Sequence, residues 1–238
     1  MKLSFVCLLL VVAARGTAQF NGKLVYQVDQ KKSRTVMTYY QTGNSGRMDA
    51  YDINFKNGIP DSSTIKAQDT ILYNFADSNE TRLQHETLRA LKMKYLAITA
   101  SALVASRMKG KASTTVTAKG AETVNGHKCM HFVITSTSAL GTGIRDIWVT
   151  GDYGQGVSPA VWVVGGYLYY PPGSPHLLEL KAQGASGVVV KVVAGSPSQG
   201  VIYTMNLIDV EQPQRYGAAM FNVPSAYTLV DKTNISLP

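Results

Sequence analysis

Apolar and polar residues alternate along much of this chain. Over residues 22–29, Leu24, Tyr26 and Val28 interleave with Lys23, Val25 and Gln27, the period-two pattern of a strand with one buried face. The pattern returns over 34–41, with Val36, Met37, Tyr39 and Tyr40, and again over 47–55 and 70–75. Thr42-Gly43-Asn44-Ser45-Gly46 and Asn57-Gly58-Ile59-Pro60-Asp61 interrupt these runs with residues that favour turns. The N-terminal third therefore predicts a β-meander.

The period changes at Gln84. From there to Arg107, the residues Leu88, Leu91, Tyr95, Ile98 and Ala102 recur every three or four positions, with no Gly or Pro between them. That spacing predicts one long helix over 84–107, stopped near Gly110. Its first half is charged and 95–106 carries no charge, so its apolar end is expected to lie deep against a sheet. Strand signals resume at 113–118 and 121–124. Asn125-Gly126 is a strong hairpin signal, because a type I′ turn needs positive φ at both central residues. Return strands are expected over 127–135 and 144–150. The stretch 153–175 is rich in Gly and Pro yet holds Trp162, Tyr167, Tyr169 and Tyr170, an aromatic content that argues for a functional loop rather than disorder. A short helix over 176–183, introduced by Pro175 and closed by Gly184, precedes strands over 188–193 and 201–210 and a tail over 220–230.

Residues 1–18 change the setting of this domain. Lys2 precedes an uncharged apolar run over 3–14, and Gly16-Thr17-Ala18 places small residues ahead of Gln19. This is the pattern of a cleavable secretory signal, too short for a membrane span. The expectation is a signal peptide over 1–18 and a single β domain over 19–238, periplasmic or secreted and not membrane-spanning. Cys7 leaves with the signal and lies too early to be a lipid-attachment cysteine. Cys129 is then alone, so no intramolecular disulfide forms, which suits a bacterial envelope better than a stapled secreted domain. The formal net charge of +8 includes Lys2 and Arg15. The remaining basic residues are scattered, which argues against nucleic acid and leaves a mild preference for anionic partners. Asn79-Glu80-Thr81 and Asn234-Ile235-Ser236 match the glycosylation acceptor pattern, which matters only in a eukaryotic host.

Candidate chemistry is sparse. His127, Cys129 and His131 would share one face of a strand, and imidazole with thiolate suits zinc or copper. The competing reading is a small buried thiol flanked by two histidines in aromatic core positions. There is no nucleophile elbow and no carboxylate pair in a glycosidase-like setting. The chain is expected to be no enzyme and to need no cofactor. The four aromatic loop residues fit the rim of an apolar cavity, where amphipathic rings suit a lipid or another greasy ligand.

Several stretches resemble a family of exported bacterial proteins that carry a domain of unknown function related to the LolA/LolB lipoprotein-carrier fold. They are Phe20-Asn21-Gly22-Lys23-Leu24-Val25-Tyr26, Met37-Thr38-Tyr39-Tyr40 with Gly43-Asn44 and Arg47-Met48-Asp49, Val124-Asn125-Gly126-His127-Lys128-Cys129, Ile147-Trp148-Val149-Thr150, and Phe221-Asn222-Val223-Pro224 with Tyr227. The resemblance implies a mainly β (α+β) fold, an open, strongly curved antiparallel sheet wrapped around the long helix, with an apolar cavity between them. A ligand there would meet Trp162, Tyr167, Tyr169 and Tyr170 from the loop and Tyr95 and Ile98 from the helix. Arg47 would be a polar anchor, or else would pair with Asp49 or face solvent. The function so implied is an extracytoplasmic binding or carrier protein for a lipid or acyl chain. The alternative is an envelope interaction module that docks a protein partner through the 153–175 loop.

Overall fold

The computed structural model describes residues 20–94, 113–138, 141–153 and 175–233. The meander forms as its pattern predicts, as β1 (Gly22–Gln30), β2 (Ser33–Thr42) and β3 (Ser45–Lys56). Two short strands, β4 (Ile59–Pro60) and β5 (Lys66–Ala67), hang from the far end of β3. Next come β6 (Thr70–Asn74), β7 (Asn79–Gln84) and β8 (Arg89–Lys94). The second half contains β9 (Ser113–Val124), β10 (His127–Ser138), β11 (Gly141–Thr150), helix α1 (Pro175–Ala182), β12 (Val188–Ser196), β13 (Gly200–Glu211) and β14 (Thr228–Asp231). The Asn125-Gly126 turn has φ of 50° and 82°, the doubly positive geometry that the dipeptide foretells.

One open sheet holds all of these strands, in the order β14-β8-β7-β6-β3-β2-β1-β13-β12-β11-β10-β9, with β4 and β5 paired to β3. Neighbours are antiparallel except β14, which runs parallel to β8. Register shifts interrupt the β1–β13, β9–β10, β11–β12 and β12–β13 ladders, and such bulges bend and twist the strands that carry them.

The long helix expected over 84–107 is not what the described residues form. Residues 79–94 make a hairpin, with Leu83 opposite Ala90 and Gln84 opposite Arg89. Leu88, which begins the three-and-four spacing, sits in the turn at φ 50° and is half exposed. The mainly antiparallel sheet therefore wraps no long helix among the described residues, whose one α-helix is the eight-residue α1. The reason is tertiary. Ala90 and Leu83 are buried against Leu72 on the neighbouring strand, and a helix would strip all three of those cross-strand partners.

The sheet has two faces of different character. On the inner face Leu24, Tyr26 and Val28 of β1, Met37 and Tyr39 of β2, and Met48 and Ala50 of β3 join Phe132 and Ile134 of β10, Ile147 and Val149 of β11, and Val192 and Met205. All are buried and form one continuous core. The outer face carries the intervening residues, among them Lys23, Arg47, His131 and Trp148. Over the N-terminal half of that face the chain lays its own tail, residues 212–227, before adding β14 at the edge. Gln214 donates its backbone N–H to the Asn21 carbonyl at 3.2 Å, and Tyr216 donates its own to Thr42 Oγ1 at 3.0 Å. Val223 and Tyr227 cover the small apolar cluster of Leu72, Leu83 and Ala90.

Candidate functional site

Helix α1 begins at Pro175, whose fixed φ suits a first helical position, and ends before Gly184 at φ +89°. Leu180 anchors it in the core with no exposed surface. Gln183 fixes it sideways to the edge strand: its Nε2 donates to the Val116 carbonyl at 2.8 Å and its Oε1 accepts from the Ala118 N–H at 3.0 Å. Gly187 then lets the chain pass close to β11. Its φ is +98°, and a Cβ there would stand 2.0 Å from the Thr150 carbonyl oxygen.

Beside the connection that follows α1 lies an open cavity of about 220 Å³. Its walls are Ala121 of β9, Cys129 and Met130 of β10 and Val149 of β11. Lys128, Gly151, Gly184 and Ser186 surround them. Met130 and Val149 are cross-strand partners, as are Met130 and Ala121, so one row of the inner face supplies the apolar wall. Lys128 is exposed and gives the only charged side chain among these lining residues.

The three candidate metal ligands occur on β10 as the spacing predicts, yet each has its own partners. His127 Nδ1 lies 3.2 Å from Asp152 Oδ2, and its Nε2 lies 3.3 Å from the Tyr153 hydroxyl. Cys129 is buried and directs its thiol at the His127 carbonyl, 3.5 Å away. Burial pushes that thiol up from its ordinary range, with Asp152 and Glu122 adding to the effect. His131 stands between two carboxylates, Nδ1 2.9 Å from Glu122 Oε1 and Nε2 2.8 Å from Asp146 Oδ1. No group of three or more His, Cys, Asp or Glu among the described residues is arranged to hold a metal ion. The Asp152–His127–Tyr153 chain has the connectivity of a base relay. Burial, with Asp152 adding to it, raises the Tyr153 hydroxyl.

Arg47 lies on the outer face, away from the cavity. It meets Asp49 with two hydrogen bonds, Nε to Oδ2 at 2.8 Å and Nη2 to Oδ1 at 3.0 Å, and its Nη1 donates to the Met220 carbonyl at 3.3 Å. Of the readings open for it, pairing with Asp49 is the one observed, and an anchor in the inner cavity is not. Tyr95, Ile98, Trp162, Tyr167, Tyr169 and Tyr170 lie outside the described residues, as does the signal segment 1–18.

Two polar groups on the inner face escaped the sequence reading. Tyr26 is completely buried with a hydroxyl that has no hydrogen-bond partner among the described residues, and burial raises it strongly, with Tyr153 adding to the rise. Glu80 is 3% exposed, its Oε1 also lacks a hydrogen-bond partner among the described residues, and Arg82 stands 4.0 Å from it. Burial pushes the Glu80 carboxyl up, partly opposed by Arg82. Alternation alone marks Tyr26 as inward-facing. Glu80 gives no such signal, because a carboxylate in a strand is ordinarily assigned to the wet face. Asn79, the first glycosylation acceptor, is buried in the same strand.

The family model for the domain of unknown function DUF4412 matches residues 20–227. Among solved structures, an uncharacterized conserved protein from Thermus thermophilus is 8% identical, covers 91% of this chain and 93% of its own, and overlays with a TM-score of 0.49. An exported-protein structure from Bacteroides fragilis with a YmcC-like fold is 9% identical over 82% of this chain and 97% of its own, with a TM-score of 0.27. A DUF1329 family protein from Desulfovibrio piger is 12% identical over 84% and 88%, with a TM-score of 0.24. No curated protein matches the chain.

Proposed function

Because this chain belongs to the DUF4412 family, whose function is not defined, its role has to be read from its own site, and we propose that it is a non-catalytic, extracytoplasmic protein that binds a hydrophobic molecule such as an acyl chain. The observation that carries this reading is the open cavity at the ends of β10 and β11, with Met130, Val149 and Ala121 as its wall and Lys128 exposed beside it. Its volume of about 220 Å³ falls below the roughly 300–1,000 Å³ of pockets that enclose a whole drug-sized ligand. It suits one segment of a chain, each methylene contributing about 0.8 kcal/mol on leaving water, offset by the ordering that binding demands. Lys128 would receive a carboxylate or phosphate end.

The secretory pattern of residues 1–18 supports export. Among the described residues no helix is long and apolar enough to cross a membrane.

The test is organic extraction and mass spectrometry of the protein purified from its native envelope, followed by titration with a fluorescent fatty acid. The expected result is a co-purified lipid and saturable uptake. Ala121→Trp should abolish uptake by filling the cavity. Lys128→Glu should weaken an anionic probe roughly tenfold, the scale of one exchanged charge contact, while sparing a neutral one. An empty extract together with no uptake would overturn the proposal.

A further inference from the structure

The opposite end of the strands carries a second surface, independent of the cavity. Three adjacent connections meet there. The β1–β2 turn contains Lys31 and Lys32. The excursion from β3 through β4 to the start of β5 spans residues 57–65, beginning after Lys56. The β12–β13 hairpin turns at 197–199. Register places them level: Gln30 pairs with Tyr203, Ser33 pairs with Asn54, and the Phe55 N–H donates to the Lys32 carbonyl at 2.9 Å. With strands about 4.8 Å apart, the run β12-β13-β1-β2-β3 brings the three tips onto one short edge of the molecule.

These tips expose aliphatic side chains that a soluble edge has no need to display. Ile59 is 69% exposed, Val201 66%, Ile65 54% and Ile202 45%. The cations Lys31, Lys32 and Lys56 are exposed beside them, and among the described residues none of the three forms an ion pair. Lys66 is also exposed and pairs with Glu86 at 3.3 Å. The one acidic side chain within the three tips, Asp61, is spent internally: its Oδ1 accepts from the Ser63 N–H at 3.0 Å and from the Ser63 hydroxyl at 2.6 Å. The tips are also tied down. Asn54 donates its N–H to Thr64 Oγ1 at 2.8 Å, Asp61 donates to the Asn54 carbonyl at 2.8 Å, and Gln199 donates to Ser196 Oγ at 3.1 Å. A backbone that satisfies its own polar groups loses less on entering an apolar interface.

We propose that this edge docks on an anionic lipid surface, with Ile59, Ile65, Val201 and Ile202 entering the headgroup boundary and Lys31, Lys32 and Lys56 meeting the phosphates. Exposed aliphatics rimmed by unpaired lysines are the pairing that such a surface selects, burial and electrostatic attraction adding to each other. The cavity lies at the other end of β10 and β11, so the inference stands whether or not that cavity binds a ligand.

The test is co-sedimentation of the full chain with vesicles of phosphatidylglycerol and phosphatidylethanolamine against vesicles of phosphatidylcholine alone. The expected result is binding to the anionic vesicles only, lost at high salt as the charges are screened. A Lys31→Gln, Lys32→Gln, Lys56→Gln variant should bind roughly 100-fold more weakly, at about fivefold per lysine. Ile59→Ser with Val201→Ser should weaken binding tenfold or more. All five positions are exposed, so circular dichroism should report an unchanged fold. Equal binding to both vesicle types, or tip variants that bind as the parent does, would overturn the proposal. So would an absence of vesicle binding in which the same substitutions dissolve a dimer, an outcome that assigns the edge to a second copy of the chain.

Discussion

The two halves of the outer face solve one problem in opposite ways. In the N-terminal half the face is covered. The tail packs Val223 and Tyr227 on Leu72, Leu83 and Ala90 and sets Tyr216 edge-on against Tyr40, with ring centroids 5.2 Å apart. A polar chain runs beside this contact, from the Met220 carbonyl through Arg47 and Asp49 to the Thr70 hydroxyl, 2.6 Å from Asp49 Oδ1. It continues to His85, 3.1 Å from Thr70, and ends on the Tyr227 hydroxyl, 2.6 Å from His85 Nδ1. In the C-terminal half Trp148 is met by side chains of its own and neighbouring strands, and the strands satisfy one another. His131 stacks on Trp148 at 4.4 Å, Lys191 stands 5.1 Å from the same ring, and Glu122 accepts from the Trp148 indole N–H at 2.5 Å. A sheet face can be closed by a distant segment of the chain or by cross-strand pairs within itself. Only the second way is local.

Four substitutions would break or sharpen that contrast. Tyr227→Ala should cost the most, about 3 kcal/mol, by uncovering Leu72 and Leu83 and taking the hydroxyl partner from His85 Nδ1. Urea denaturation would measure it, and a loss below about 1 kcal/mol would mean that the strap adds little. Trp148→Ala should cost about 2 kcal/mol, since it removes a half-buried ring and leaves Glu122 without the indole donor. A loss equal to that of Tyr227→Ala would erase the difference between the halves. Asp49→Asn should cost about 1 kcal/mol by removing the charge that Arg47 grips at two points. Combined with Tyr227→Phe it should prove non-additive if the polar chain acts as a unit.

The smallest expected effect is a pH slope. Glu80 is buried and its carboxyl is raised in the folded state, so folding favours the protonated form. Its contribution to stability is fully present below the ordinary carboxylate range, about pH 4.3, and is lost as pH rises through the elevated folded value. Glu80→Gln should flatten that fall in unfolding midpoints measured from pH 4 to 7. A parallel offset from the parent at every pH would show that Glu80 does not titrate in this way.

The strands of the meander, the Asn125-Gly126 hairpin and helix α1 were all legible from the chain, because each depends on residues within a few positions of one another. The turn pair has the φ values its side chains allow, and α1 runs between the Pro and the Gly that bracket it. The hairpin of β7 and β8 was not legible. Leu88, Leu91 and Tyr95 repeat at helical spacing, whereas the partners that hold Leu83 and Ala90 in strands are Leu72 on β6, and β14 from the far end of the chain. At the site, the alternate positions of His127, Cys129 and His131 along one strand followed from strand geometry. Their separate partners Asp152, Glu122 and Asp146 did not, since these come from the neighbouring strands β9 and β11 and from the turn after β11.

By itself, then, the sequence determined the alternation that makes strands and the turns that join them, and it carries the export pattern of its first residues. These are set by steric preference and by apolar period, and both act over a few residues. Tertiary structure alone decided that residues 79–94 pair as a hairpin, that the 212–227 tail closes the outer face, and that Arg47 is bound there to Asp49 rather than set in the cavity. The tail closure rests on contacts between segments more than a hundred residues apart, and the hairpin and the Arg47–Asp49 pair on which strands and side chains surround them, none of which a local period encodes.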